Sequence, residues 1–351
     1  MEERKEELPS PTPDQNTDGL PAKIEFSPSS WVWREQDDEK LLRCVRKIPV
    51  GRPRRWDRIT DQMNEVEPPT EEEEKKEAVK SSKKSPLAML SSTSLKISKT
   101  LDHPRFSKED VLNRLSVLFN EKGGMYVQEE ETAKVTTLLD KLFEEEYSYA
   151  ALRALSQEER REKHLQDERL VYAEADPAWF VRALLLLRKL HGHLADGGGG
   201  GGKDRFWDPA AGAGKLGFAA ALVHNFEMIF CYEILESLSD AARRLLIKYD
   251  REIKPTLRDS KKRIHIELQH RDALAVEGGW ESATLVFVHA CWRSAADLET
   301  LQAKLERMPA GALALTVAKP YVSDGSWERL LVTSMPATWG QAVVYVWEKT
   351  A

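Results

Sequence analysis

At 351 residues, with 41% hydrophobic and 31% charged side chains and a formal net charge of −6, the chain has room for roughly two or three domains and a real core. That charge excludes a uniformly basic nucleic-acid coat, so any basic surface must be local. The isolated Cys44, Cys231 and Cys291 form neither a CxxC pair nor a disulfide framework, and no apolar run reaches membrane-spanning length. A soluble intracellular protein without a metal site is expected.

Residues 1–30 set Pro9, Pro11, Pro13 and Pro21 among charges and hydroxyls, and disorder is expected there. From Trp31 the pattern changes. Leu41, Leu42 and Val45 share one helical face, Pro49 and Gly51 punctuate, and Trp56, Ile59 and Met63 mark a second helix. With Trp33, Asp37, Asp38, Pro49, Gly51, Arg55, Trp56 and Ile59, residues 31–80 resemble a Myb/SANT repeat, a small three-helix domain. In DNA-reading members the third helix enters the major groove. Here its candidate, residues 69–80, holds five glutamates against three lysines, which phosphate would repel. The resemblance thus implies contact with histone tails or partner proteins, beside the plainer reading of a solvated acidic face. Contact with nucleic acid is expected to be weak.

Residues 81–103, rich in Ser and Lys, read as a linker. Lys80, Lys83 and Lys84, like Arg52, Arg54 and Arg55, would suit nuclear import. Residues 104–170 read as a helical connector. Ser107 and Asp110 form a capping box ahead of the stripe Val111, Leu112, Leu115, Leu118 and Phe119. Val135, Leu138, Leu139, Leu142 and Phe143 mark a further helix, and Tyr149, Leu152 and Leu155 another. The charged run over 158–169 reads as a solvated helix or connector.

Val171-Tyr172-Ala173-Glu174 precedes Asp176-Pro177, an N-cap with proline at the first helical position. The helix that follows carries Phe180, Val181, Leu184, Leu185 and Leu187, and six glycines at 197–202 read as a loop insertion. His191 and His193 form an HxH pair with no third ligand nearby.

Residues 205–233 organise the chain. Phe206 and Trp207 lead to Asp208 at a strand end, and the turn Pro209-Ala210-Ala211-Gly212-Ala213-Gly214 follows. Small residues from Lys215 to Val223 suit a helix close against a sheet, and Met228 to Tyr232 form a buried strand ending on Glu233. Such a glycine turn aims helix N-terminal amides at a ligand, and an acid ending the next strand can grip ribose hydroxyls. Pro209 and Leu216 exclude a Walker loop, and G-x-G-x-x-G is absent. What fits is the methyltransferase pattern of acid, small-residue turn and acid.

Alternation then continues. A helix from the N-cap Ser237 carries Leu238, Ala241, Ala242, Leu245, Leu246 and Tyr249; a strand at 264–268 precedes Asp272-Ala273; a fourth strand, 283–288, runs into His289-Ala290-Cys291-Trp292. Leu298, Leu301 and Leu305 face inward on a helix, the fifth strand, 312–317, leads to Lys319-Pro320-Tyr321, and strands near 329–333 and 342–347 pair as a hairpin. The expectation is α/β: a class I, Rossmann-like methyltransferase domain with a seven-stranded sheet over 171–351.

Residues 170–350 resemble the non-SET histone-lysine methyltransferases of the disruptor-of-telomeric-silencing type. The resemblance is carried by VYAE at 171–174, DPAAGAGK at 208–215, Glu233, Asp272-Ala273, VFVHACW at 286–292, KPY at 319–321 and the stretch from Trp339 to Tyr345. It implies S-adenosyl-L-methionine as cofactor, held by Tyr172, Glu174, Asp208, Ala210, Gly212, Gly214, Lys215, Glu233, Asp272 and Ala273. It also implies a lysine channel walled by Tyr345, Trp339 and Trp292, with His289 near the transferring methyl. Ala173 and Ala210 stand where the family has glycine, Lys215 where it has glutamine, and His289-Ala290 where it has Asn-Asn. The substrate implied is a histone or another nuclear protein, methylated by a monomeric nuclear enzyme. Two readings compete: a chromatin adaptor without turnover, and a DNA adenine-N6 methyltransferase. The latter family carries N/D-P-P-Y/F where this chain has His289-Ala290-Cys291-Trp292.

Overall fold

The computed structural model describes residues 33–48, 52, 54–65, 106–121, 129–167, 170–190, 194, 204–289, 294–318 and 325–350. The expected disordered segment 1–30, the third-helix candidate 69–80, the linker 81–103, the histidine pair, the glycine tract, Trp292 and residues 319–321 lie outside them.

Seven strands form one sheet: β1 (Arg205–Asp208), β2 (Met228–Glu233), β3 (His265–His270), β4 (Leu285–Val288), β5 (Leu313–Val317), β6 (Trp327–Ala337) and β7 (Gly340–Lys349). Their order is β3-β2-β1-β4-β5-β7-β6, with β1 to β5 parallel and β7 antiparallel to both its neighbours. This is the class I methyltransferase arrangement expected from the strand and helix alternation. The order reverses direction between β1 and β4, which opens a crevice at the carboxyl ends of those strands. β6 and β7 run longer than the hydrophobic runs that announced them, because a hairpin ladder continues through polar residues to a tight turn at Ala337 and Gly340.

Helices cover both faces. On one side lie α6 (Pro177–Leu190), α7 (Lys215–Val223) and α8 (Glu236–Lys248); the other side carries α9 (Ala295–Leu305). Leu216 to Val223 are buried all round, so α7 shows no polar face. Helix α8 starts at Glu236 with Leu235 as N-cap, so Ser237 is not the cap expected.

The preceding helices are α1 (Glu35–Lys47), α2 (Arg55–Asn64), α3 (Lys108–Glu121), α4 (Glu129–Leu142) and α5 (Tyr149–Glu162). α1 and α2 bury the side chains expected of them, Leu41, Leu42, Val45, Trp56, Ile59 and Met63. They pack on α3: Arg114 grips Asp38 through two contacts of 2.6 Å, and Asn64 pairs with the backbone of Phe106 at 2.7 and 2.8 Å. Their side chains join the same continuous core as the sheet. α3 lies along the edge strand β6, where Ser116 and Asn120 donate to the carbonyls of Leu330 and Val332 at 3.4 and 3.2 Å. An otherwise open sheet edge is thereby covered. Among the described residues of the charged run starting at 158, Glu159 departs from the solvated reading, being only 7% exposed.

Candidate cofactor site at the carboxyl edge of the sheet

Parallel pairing puts Asp208 opposite Cys231, two residues before Glu233 on the neighbouring strand, so both acids open on the same edge. The turn between β1 and α7 is tied down by the Ala211 amide, which donates to the Tyr232 carbonyl at 2.8 Å. Gly212 and Gly214 adopt left-handed φ values of 54° and 80°, which side chains resist. Ala210 has no positive φ, so its side chain carries no such backbone strain.

Glu233 holds the turn. Its two carboxylate oxygens accept from the amides of Gly212 and Leu235, each at 2.8 Å. Burial nevertheless raises its pKa above the usual carboxylate value. Asp208 is only 1% exposed; its Oδ1 takes a long 3.4 Å contact from the Ala210 amide. Its Oδ2 is buried with no hydrogen-bond partner among the described residues. Burial first, with repulsion from Glu233 adding to it, pushes the Asp208 pKa up to about 7 against the pull of the Ala210 amide. A buried carboxylate so poorly satisfied is a receptor for a cation or a strong donor.

A strap of chain closes over this turn. Tyr172 stacks above Gly212, where a Cβ would come within 2.6 Å of its ring, and its hydroxyl donates to Glu174 at 2.6 Å. Lys215, opening α7, reaches the other Glu174 oxygen at 2.6 Å and lies 4.8 Å from the centre of the Phe143 ring. The strap is stitched to the β6–β7 hairpin: the Glu174 amide donates to Thr338 Oγ1, the Thr338 amide to the Glu174 carbonyl, and the Asp176 amide to the Pro336 carbonyl, all at 3.0 Å. Phe143, Tyr149, Glu159 and Thr338 join the surroundings of the site without having been singled out for it. Phe143 and Tyr149 were visible only as members of helical stripes that read as core, although Phe143 lies under Lys215 and Tyr149 stacks on Tyr172.

Asp272 follows β3 one residue after Arg271, whose amide donates to the Glu233 carbonyl at 2.9 Å. Its side chain caps a short turn through the Leu274 amide at 2.9 Å, beside the buried Ala273. At the end of β4, His289 packs edge-on against Phe287, with Nε2 3.8 Å from Asp208 Oδ1, too far for a hydrogen bond. Burial lowers its pKa to about 4, so the ring is neutral at physiological pH. Tyr345, on β7 opposite Thr316, is half-buried and stacks on Trp347. Trp339 stands at the hairpin turn, 45% exposed, and no ring contact among the described residues joins it to Tyr345. The described residues thus bring together all the expected cofactor residues and His289. Trp339 sits in the hairpin turn and Tyr345 midway along β7, opposite Val332, and no contact among the described residues makes a channel of them.

No family model matches the chain, and no curated protein matches it in sequence. Solved structures do show likeness over part of it. A Haemophilus influenzae protein named as a methylase is 18% identical over 42% of this chain and 81% of its own, at a TM-score of 0.32. An Escherichia coli protein named as a methyltransferase is 18% identical over 48% and 84%, at 0.34. A Pyrococcus horikoshii protein named as an RNA methyltransferase is 15% identical over 50% and 86%, at 0.34. The fold assignment rests on this chain's own strand order and crossovers.

Proposed function

We propose that the chain is an S-adenosyl-L-methionine-dependent methyltransferase acting on a lysine of a histone or another nuclear protein. One observation supports the cofactor most: a buried oxygen of Asp208, without a partner among the described residues, beside a left-handed glycine turn pinned by Glu233. Those residues fit an adenosyl amino acid. Glu233 would take the ribose hydroxyls, Asp272 and Ala273 the adenine edge and face, and Asp208 a cationic group at the other end. Tyr172, Glu174 and Lys215 would cover it, with the backbone of Ala210, Gly212 and Gly214 beneath. The bound cofactor supplies a methyl group on a sulfonium, which needs a neutral nucleophile.

A free lysine ammonium has a pKa near ~10.4, and desolvation in an apolar setting favours its neutral form. His289, neutral at physiological pH, offers a lone pair to an incoming N–H at the strand end closest to Asp208. The lysine target rests on the sequence resemblance, with Tyr345, Trp339 and Trp292 as its proposed apolar walls. Nuclear location, a chromatin partner and a monomeric state belong to the same reading. The adaptor alternative is favoured by His289-Ala290, which stand where the resembled family has Asn-Asn near the transferring methyl.

Calorimetry separates these readings. The wild type is expected to bind S-adenosylmethionine and Glu233→Ala to lose binding by at least about tenfold, as removal of a charge-assisted contact should. Labelled-methyl transfer to nucleosomes, free histones, DNA and RNA then identifies the acceptor. Transfer to histone lysine supports the proposal; transfer to nucleic acid alone overturns its substrate; binding without transfer to any acceptor favours the adaptor.

A further inference from the structure

Glu159 belongs to the connector helix α5, in a run of charges at 158–163 that resembles a solvated face. It is instead buried, and its two carboxylate oxygens accept from the first amides of α8: Oε1 from Glu236 at 3.0 Å and Oε2 from Ser237 at 2.7 Å. Lys163, one helical turn on, adds an ion pair at 2.8 Å to Oε1. Burial alone would raise the Glu159 pKa, but Lys163 and the Ser237 and Glu236 donors outweigh it and hold the pKa at about 2. The group is therefore an anion throughout the physiological range, at the positive end of α8.

The turn so gripped is the one that leaves Glu233. Leu235, the N-cap of α8, donates its amide to Glu233 Oε1, and the Ile234 carbonyl pairs with His270 Nε2 at 3.0 Å. Glu159 is thus linked to the Glu233 carboxylate through one short turn, anchored by a helix that precedes the sheet in sequence. α8 lacks a side-chain cap of its own at Leu235, so the anion from α5 takes that role.

We propose that Glu159 is a positioning residue of the cofactor site: by capping α8 from the connector helix, it sets the orientation in which Glu233 meets the ribose hydroxyls. This rests on the cofactor reading above. It makes residues 149–162 part of the site, not a tether to it.

The test is a comparison of two ligands on one protein. Calorimetry measures S-adenosylhomocysteine against its 2′,3′-dideoxy analogue in the wild type, Glu159→Gln, Glu159→Ala and Lys163→Ala. The wild type is expected to prefer the hydroxylated ligand. Glu159→Gln and Glu159→Ala should lose most of that preference, with S-adenosylhomocysteine weakened about tenfold and the dideoxy analogue little changed. Lys163→Ala, which removes a half-exposed partner, should keep the preference. Because both ligands are read on the same folded fraction, a loss of stability in a variant cancels from the ratio. Full retention of the preference in both Glu159 variants, or equal weakening of both ligands, overturns the positioning role. A wild type that binds neither ligand, or binds both alike, overturns the cofactor reading and this role with it.

Discussion

Asp208 shows how a site residue can work against the fold that holds it. Its ordinary pKa of 3.8 rises to about 7 in the folded chain, chiefly through burial. Between those values the folded state keeps a proton that the unfolded state has released, so stability is fully present at low pH and declines as pH rises toward 7. Three pKa units correspond to roughly 4 kcal/mol. Asp208→Asn removes that penalty. The ligand-free variant is expected to match the parent near pH 4 and to exceed it by a few kcal/mol, on the order of the same figure, at pH 8. Urea denaturation at the two pH values measures this, and loss of S-adenosylmethionine binding in the same variant would place the cost with function. Equal stability of parent and variant at pH 8 would show that Asp208 is already satisfied. Glu159 has the opposite sign: its contribution is present above about pH 4.5 and is lost as pH falls toward 2. The sequence made Asp208 legible because strand, acid and glycine turn are local. Glu159 was not, since a Glu four residues before a Lys is the ordinary mark of a solvated helix face.

Among the elements, α7 is the one whose sequence most closely dictated its place. Its run of small residues lets it sit against β1 and β2, and Gly217 marks the closest approach: a Cβ there would fall inside the contact radius of Cys231 Sγ and 3.4 Å from Ile229. Gly217→Ala gains about 1 kcal/mol of helix propensity yet must push a packed sheet and helix apart, which costs about 1–3 kcal/mol. A net loss of stability is expected, and Cys231→Ala in the same chain should relieve part of it. A double-mutant cycle by chemical denaturation measures the coupling, and purely additive effects would rule out the clash. Three of the parallel strands were readable for a related reason: lying inside the sheet, β2, β4 and β5 hold largely apolar runs, MIFCY, LVFV and LALTV. Periodicity does not report what crosses between elements. The strap from Tyr172 to Asp176 is held by backbone bonds to a hairpin some 160 residues further on, as the separation of 164 between Glu174 and Thr338 shows. No local pattern encodes that pairing.

For the molecule as a whole, the decisive contact joins its two ends. Arg55, only 3% exposed, donates to the carbonyls of Ile48 and Val45 at 2.9 and 3.0 Å, tying α2 to the end of α1. It also lies 3.5 Å from Glu348 on β7, whose carboxylate accepts from Trp56 Nε1 at 2.7 Å. The residues that suggested a freestanding front module, Arg55 and Trp56, therefore turn their polar groups toward the sheet. Glu348→Gln keeps an acceptor for Trp56 but strips the charge opposite a buried guanidinium. Breaking a buried ion pair from one side typically costs about 3–5 kcal/mol, and a loss of stability toward that range is expected. Removing the guanidinium as well, as Arg55→Met with Glu348→Gln, should recover part of it, since the amide oxygen still accepts from Trp56 Nε1. If α1 and α2 share one cooperative unit with the sheet, urea titration of Glu348→Gln followed by tryptophan fluorescence and by circular dichroism will show a single transition moved to lower denaturant, with coincident probes. Were residues 33–65 an autonomous module, the titration would split, and the transition of the sheet would stay where it is in the parent.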